Sequence, residues 1–298
     1  MEGQFTGKTI FITGASSGIG AALAVEFARD GANLALAARR EELLERTLNA
    51  VREIGGRGKA VACDITNRAT LDRAVASTLD AFGSLDVAIA NAGFGVNGMF
   101  VDLTIDDFRR QYETNVFGTI NTVQAVLPSL KSSRGHLVLV GSVMGRIGLP
   151  VSSAYASSKF ALTGLAESLY YELAEDGIRV TLINPGLVDS NIARVDNQGV
   201  FEEGKKDPRP AFFIVPTEKA AREIVKRISK GRAEATITGH GKIVLPVNCP
   251  PIAPPHRCRR LGRFAPPWAP GMDRIPHGPY VAKPAPTRQT GPLATKSG

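Results

Sequence analysis

Thr13-Gly14-Ala15-Ser16-Ser17-Gly18-Ile19-Gly20 is the stretch on which the reading of this chain turns. It follows the apolar run Ile10-Phe11-Ile12 and opens an amphipathic pattern that reaches Arg29. A strand that passes through glycines into a helix can approach a bound group closely, because those residues carry no Cβ. The helix start adds unpaired N–H groups and a positive dipole end, which suit a phosphate. Far downstream Ser142 precedes Tyr155 by thirteen residues, and Lys159 stands four beyond Tyr155. At that spacing the phenol and the amine share one helix face. A phosphate cradle and a proton donor in one chain predict a nicotinamide-dependent oxidoreductase.

The rest of the pattern extends this outward. Short β-rich runs at 9–13, 33–38, 59–62, 87–90, 136–140, 180–184 and 235–237 alternate with helical patterns at 18–29, 41–54, 68–82, 106–130, 153–176 and 218–229. Near-continuous apolar strands such as Leu137-Val138-Leu139-Val140 suit a parallel sheet buried on both faces. The alternation predicts an α/β fold: a doubly wound, Rossmann-type parallel sheet of about seven strands with helices on both faces. Asp30-Gly31 and Asp176-Gly177 read as helix stops, and Thr104-Ile105-Asp106-Asp107 as a capping box with Asp in the acidic position.

Charge and proline divide the chain. Of its formal net charge of +8, eight basic residues against one acid beyond Pro246 account for +7, so the preceding 245 residues are near neutral. Thirteen of the 19 prolines also lie in 246–298, where they deny both helix and ladder hydrogen bonds. The expectation is a single dinucleotide-binding and catalytic domain over 1–245, followed by a disordered, basic, Pro/Arg-rich tail over 246–298. A shifted reading frame is the alternative origin for that tail. Without regular aromatic interleaving the tail does not resemble a nucleic-acid stacking platform. Cys63, Cys249 and Cys258 have no metal-ligand spacing, and Cys63 reads as a small buried apolar residue. The four histidines are scattered, so no metal is expected. No signal-peptide pattern opens the chain and no run reaches the ~18 apolar residues of a membrane span, which predicts a cytoplasmic protein.

Two other motifs are decoys. Gly7-Lys8-Thr9 resembles the end of a P-loop but precedes a strand, and Gly141-Ser142-Val143-Met144-Gly145 lacks the nucleophile-elbow spacing.

The glycine spacing is TGxxxGxG, not the GxGxxG of the common dinucleotide fingerprint, and it resembles the short-chain dehydrogenase/reductase family. Ala90-Asn91-Ala92-Gly93, Asn115, Ser142, Tyr155-x-x-x-Lys159 and Pro185-Gly186 follow in that family's order, across roughly residues 6–240. Alone, a Tyr-x-x-x-Lys pair is ordinary surface decoration and a strand-end serine an ordinary turn residue; the ordered conjunction is what carries weight.

Each position has a chemical reason. Carbonyl reduction by hydride builds charge on oxygen and needs a proton. A phenol of pKa ~10 is a poor donor or base near neutrality unless a positive charge favours its anion. Lys159 would supply that charge, with Tyr155 as general acid in reduction and base in oxidation. Ser142 would bond the substrate oxygen. The resemblance implies that Lys159 also bonds the nicotinamide ribose. It further implies that Asn115 distorts its helix and holds a water in a relay to Lys159.

The cofactor expectation is NADP(H). Strand two ends Ala38-Arg39-Arg40 with no acid for a ribose 2′-OH, and a guanidinium can fork onto a 2′-phosphate. Arg39 is the first choice and Arg40 the second. Gly14, Ser16, Ser17, Gly18, Ile19 and Gly20 would cradle the phosphates. The resemblance places Asp64 at the adenine, Asn91 and Gly93 at the ribose and Val188 at the carboxamide, and counts Pro185 and Gly186 among the cofactor contacts. Ser190 stands where that loop usually carries Thr.

Ser142, Met144, Leu149 and Tyr155, with Phe94, Gly95 and Val151, would line an apolar substrate pocket. The segment 191–216, with Phe201, Phe212 and Phe213, reads as a lid. The resemblance also implies a homodimer through the helices of Asn115 and Tyr155, or a tetramer. An NADPH-binding regulator with little turnover is the alternative function.

Overall fold

A computed structural model of the chain describes residues 3–190, 192, 195–200, 204, 209, 211–239 and 241. Expectations that rest on other positions, the 246–298 tail and Phe201 among them, lie outside the described residues. Seven parallel strands alternate with helices. In chain order these are β1 (Thr9–Thr13), α1 (Gly18–Arg29), β2 (Asn33–Ala38), α2 (Glu41–Glu53), β3 (Arg57–Ala62), α3 (Arg68–Phe82) and β4 (Val87–Ala90). The second half contains α4 (Ile105–Tyr112), α5 (Gly118–Ser133), β5 (His136–Val140), α6 (Ser153–Glu172), β6 (Arg179–Asn184), α7 (Thr217–Ser229) and β7 (Glu234–Thr236).

The sheet order is β3-β2-β1-β4-β5-β6-β7. Side chains alternate across it as a strand requires. Ile10 and Ile12 enter a core with α1, α2 and α7, while Phe11 enters the opposite core with α3, α5 and α6. Both faces are thus covered, as the apolar strands demand. The chain reverses its winding between β1 and β4, which are neighbours through Ile12 and Ile89. Loops leaving the carboxyl ends of those two strands therefore diverge to opposite faces and leave a crevice between them.

Several boundaries differ from the sequence pattern by a few residues, and three of the differences have a clear local reason. The helix expected at 106–130 is divided by a π-helical turn, Glu113–Phe117, between α4 and α5. The helix expected to reach 176 ends at Glu172, because Ile178 N bonds Leu173 O at 3.1 Å and Gly177 takes φ +72° four residues later. β3 starts at Arg57, two residues early, because it pairs along the whole of β2. The capping box at Thr104 is present, with Thr104 N donating to Asp107 Oδ2 at 2.8 Å and Asp107 N returning to Thr104 Oγ1 at 3.3 Å. Cys63 is buried and free, and His136 lies buried in β5 against Thr181 Oγ1 at 2.8 Å.

Candidate active site

The glycine turn fills one wall of the crevice. Gly14 takes φ +67°, and a Cβ there would sit 2.8 Å from Ala92 Cα and 2.9 Å from Asn91 Nδ2. The two loops touch because there is no side chain to part them. Asn91 fastens them: its Nδ2 donates to the carbonyls of Thr13 (2.9 Å) and Gly14 (3.3 Å). Thr13 Oγ1 accepts in return from Asn91 N (3.1 Å) and Ala92 N (3.2 Å). Asn91, expected at a ribose, thus has its amide committed to the turn itself.

Ser17 opens α1 without capping it by its own side chain, and the first turn holds no acid. The uncapped donors and the dipole end there fit an anion. Ser16, Ser17, Gly18 and Ile19 are half-buried around that opening, while Gly20 is buried. Arg40 Nη2 donates to Ser17 Oγ at 3.3 Å, whereas Arg39 is exposed and makes no hydrogen bond or ion pair among the described residues. Asp64 Oδ1 accepts from Thr66 N and Oγ1 at 3.0 and 2.9 Å in a local turn after β3.

The other wall carries Ser142, Tyr155, Lys159 and Asn115. Ser142 ends the segment leaving β5 and caps a short 3₁₀ turn, Val143–Gly145, with its Oγ accepting from Met144 N at 3.1 Å. That bond uses an oxygen lone pair and leaves the hydroxyl proton free to donate. The Ser142 side chain faces the Tyr155 phenol closely enough to pull its pKa down. Burial pushes the phenol above its ordinary value, and Ser142 and the charge of Arg209 pull the other way.

Lys159 Nζ, inside the fold, donates to Val140 O at 3.0 Å and lies 5.7 Å from the Tyr155 ring centroid. Burial lowers its pKa from 10.5 to about 8. The ammonium is aimed at the end of β5, and the phenol faces the Ser142 side chain.

Asn115 is fully buried in the π-helical turn. Its amide clasps Phe94, accepting from Phe94 N at 3.1 Å and donating to Phe94 O at 3.0 Å, and it also donates to Ser158 Oγ at 3.2 Å. Gly93 must be small here, since a Cβ would approach Asn115 Oδ1 to 3.0 Å and Lys159 Nζ to 3.8 Å.

In the loop after β6, Pro185 O accepts from Val143 N at 3.0 Å, and Gly186 is half-buried. Buried Val188 forms a parallel bridge with Val215. Beyond the phenol, where the sequence led us to expect an apolar pocket, a Cβ on Gly95 would lie 3.5 Å from Tyr155 Cδ2 and 3.7 Å from Ile192 Cγ1. Met144 is half-buried, and Leu149 and Val151 are exposed. Val151 takes φ +58°, an uncommon conformation for a β-branched residue, and its carbonyl accepts from Gly98 N at 2.8 Å. Two surface grooves of about 400 and 450 Å³ lie elsewhere, beside β3 and α7; of the residues named here only Val215 lines one of them.

Three shaping residues, Gln111, Ser158 and Arg146, escaped the sequence reading, and a fourth, Thr13, stood in the quoted glycine motif without a role. Thr13 and Gln111 act through backbone partners, Gln111 Nε2 donating to Phe94 O at 2.9 Å while its Oε1 accepts from Val96 N at 2.6 Å. Ser158 contacts Asn115, and Arg146 joins segments remote in sequence. Of the three that escaped, only Ser158 carried a signal, being adjacent to Lys159 on a helix already singled out. No group of three or more potential metal ligands, and no helix long and apolar enough to cross a membrane, occurs among the described residues.

A doubly wound sheet with a glycine turn at its switch point, faced by a helix-borne tyrosine and lysine, defines the class of nucleotide-binding α/β oxidoreductases. Within that class the chain belongs to the family described as short chain dehydrogenase, whose pattern it matches over residues 8–200. It is 35% identical over 205 residues to an uncharacterized oxidoreductase of Staphylococcus aureus strain MW2, covering 68% of this chain and 87% of that protein. It is 41% identical over 196 residues to the oxidoreductase UcpA of Salmonella typhimurium, covering 64% and 73% of the two chains. Among solved structures, an alcohol dehydrogenase from Thermococcus sibiricus complexed with 5-hydroxy-NADP aligns with TM-score 0.67 and 28% identity, over 78% of this chain and 96% of that one. A short-chain type dehydrogenase/reductase from Mycobacterium marinum aligns with TM-score 0.60 and 31% identity, over 62% and 76%.

Proposed function

We propose that this protein interconverts a carbonyl and an alcohol on an apolar small molecule, using NADP(H), with Tyr155 as general acid and base. The observation that carries the reading is the facing pair Ser142 and Tyr155, with Lys159 behind it, in the crevice opened by the glycine turn.

The residues present fit the cofactor. The uncapped start of α1 suits a diphosphate, and Arg39, exposed and uncommitted among the described residues, suits a 2′-phosphate. Bound there, the nicotinamide would supply hydride. Ser142 donates its free proton to the substrate oxygen and fixes its position. Tyr155 then gives its phenolic proton to that oxygen as charge gathers on it. Lys159, whose ammonium is still charged at neutral pH, steadies the phenolate that remains and passes it a proton, regaining its own through water held near Asn115.

The 5-hydroxy-NADP named for the Thermococcus sibiricus structure supports the cofactor class. We also infer a homodimer through α5 and α6, because Phe117 at the start of one and Phe160 on the other are 51% and 46% exposed.

The test is NADPH consumption against ketones, aldehydes and quinones, with NADH and Tyr155→Phe in parallel. Turnover that prefers NADPH and vanishes in Tyr155→Phe is the expected result. A folded protein that binds NADPH without turning over any of the panel would favour a regulatory role.

A further inference from the structure

Behind the Ser142 turn lies a polar cluster that the proposed reaction does not use. Arg146, two-thirds of a helical turn beyond Met144, is largely buried. Its Nε and Nη2 grip Glu234 of β7 at 3.2 and 2.9 Å, and the same Nη2 reaches Glu167 of α6 at 3.0 Å. Glu234 is equally buried and also accepts from Asn184 Nδ2, at 2.7 Å, where β6 runs into Pro185. One guanidinium therefore joins the turn that carries Ser142, the helix that carries Tyr155 and Lys159, and the strand that leads to Pro185-Gly186.

A second contact shows how tightly turn and helix are fitted. A Cβ on Gly145 would stand 2.7 Å from Lys159 O, and Thr163 Oγ1 donates to Gly145 O at 3.1 Å. Close approach fixes how near the turn lies to α6 and the Val143 N–Pro185 O bond ties its start, which leaves the end at Gly145-Arg146 as the part able to pivot. The planar fork of Arg146, held from two directions by carboxylates, removes that freedom. Because Ser142 caps the same short turn, any rotation would carry its hydroxyl away from the phenol.

We propose that Arg146 is a positioning residue which, through Glu167 and Glu234, sets the Ser142 hydroxyl against Tyr155. The inference rests on the catalytic reading of Ser142 and Tyr155. Arginine is needed because a lysine ammonium offers one point charge and cannot bridge two carboxylates in a fixed plane.

The experiment is a double-mutant cycle with Arg146→Lys and Ser142→Ala, reading kcat, KM and NADPH Kd on the full chain. Arg146→Lys is expected to lower kcat about 10-fold, the loss of roughly one well-placed hydrogen bond, with NADPH Kd unchanged within about two-fold. In the Ser142→Ala background it should cost no further kcat, since the group it positions is gone. Equal losses in both backgrounds, or no loss in either, would overturn the proposal.

Arg146→Met strips the buried Glu234 carboxylate of this cation and is expected to unfold, so Arg146→Met/Glu234→Leu, which removes both buried charges and leaves the more exposed Glu167, is the second variant. Folded by thermal melt, it should match the kcat loss of Arg146→Lys; full wild-type kcat would count against positioning. If the wild type turns over no substrate, the catalytic reading fails separately. Titration of Tyr155 by ¹³C-tyrosine NMR, assigned with Tyr155→Phe, then decides the role of Arg146. Arg146→Lys should move that titration upward as Ser142 moves away, and an unmoved titration would overturn the proposal.

Discussion

The two walls of the crevice are made in opposite ways. The glycine-turn wall is built from what is missing: no Cβ at Gly14 or Gly20, no cap on α1, no acid in its first turn. Its shape is held by backbone groups and by Asn91 and Thr13, which bond main-chain atoms. The facing wall is built from side chains, Ser142, Tyr155, Lys159 and Asn115, each set against a specific partner. A wall of backbone tolerates almost any neighbour but no added atom. A wall of side chains tolerates added atoms at its rim but not the loss of one group.

Substitutions can break that contrast, and the largest effect is expected on the side-chain wall. Tyr155→Phe removes one oxygen and should lower kcat about 10³-fold, with NADPH affinity unchanged within about two-fold. A matching loss of affinity, read by nicotinamide fluorescence, would show that the walls are not separable. Gly14→Ala tests the opposite wall. Its Cβ would collide with the Ala92 backbone at φ +67°, so NADPH affinity should fall about 100-fold and thermal stability should drop. Retained affinity would mean that the loops can part at little cost.

Arg39→Ala asks whether side chains matter on the backbone wall at all. Loss of a charge-assisted bond predicts a fall of about 10- to 100-fold in NADPH affinity, with NADH affinity unaffected. An equal fall for both would assign the arginine to general attraction.

The next effect is on stability alone. Burial depresses the Lys159 pKa to about 8, below its value of about 10.4 in an unfolded chain. Between those values the unfolded state binds the extra proton, so stability should rise with pH by up to about 3 kcal/mol across pH 8 to 10.4. Subtracting urea-melt stabilities of Lys159→Met from wild type should reveal that slope; a flat difference would show the ammonium to be well solvated. The smallest effect is expected at the rim. Val151→Gly relieves a left-handed valine and should stabilise the fold by about 1 kcal/mol in the same assay.

What could be read from sequence followed the same contrast. The backbone wall was legible because its requirement is local: glycines at fixed offsets after an apolar strand leave few alternatives. The helix-borne pair Tyr155 and Lys159 was legible for the same reason. Arg146 was not, since Glu167 and Glu234 lie 21 and 88 residues away and nothing in their neighbourhoods marks them as partners. Gln111 escaped because its partners are the backbone of Phe94 and Val96, which leave no trace in residue type. The form of the break in the 106–130 segment was hidden as well: the resemblance implies a distortion at Asn115, but apolar spacing registers a helix and not one residue too many within it.

That extra residue has a consequence for how the protein can change. A π-helical turn amounts to an α-helix with a single insertion, and it is maintained here around buried Asn115. Deleting one residue from 113–117 would restore an uninterrupted helix and rotate Asn115 away from Phe94. Selection for thermal tolerance and selection for activity therefore pull this segment in opposite directions. One-codon deletions here are the changes expected to yield sturdier proteins without turnover.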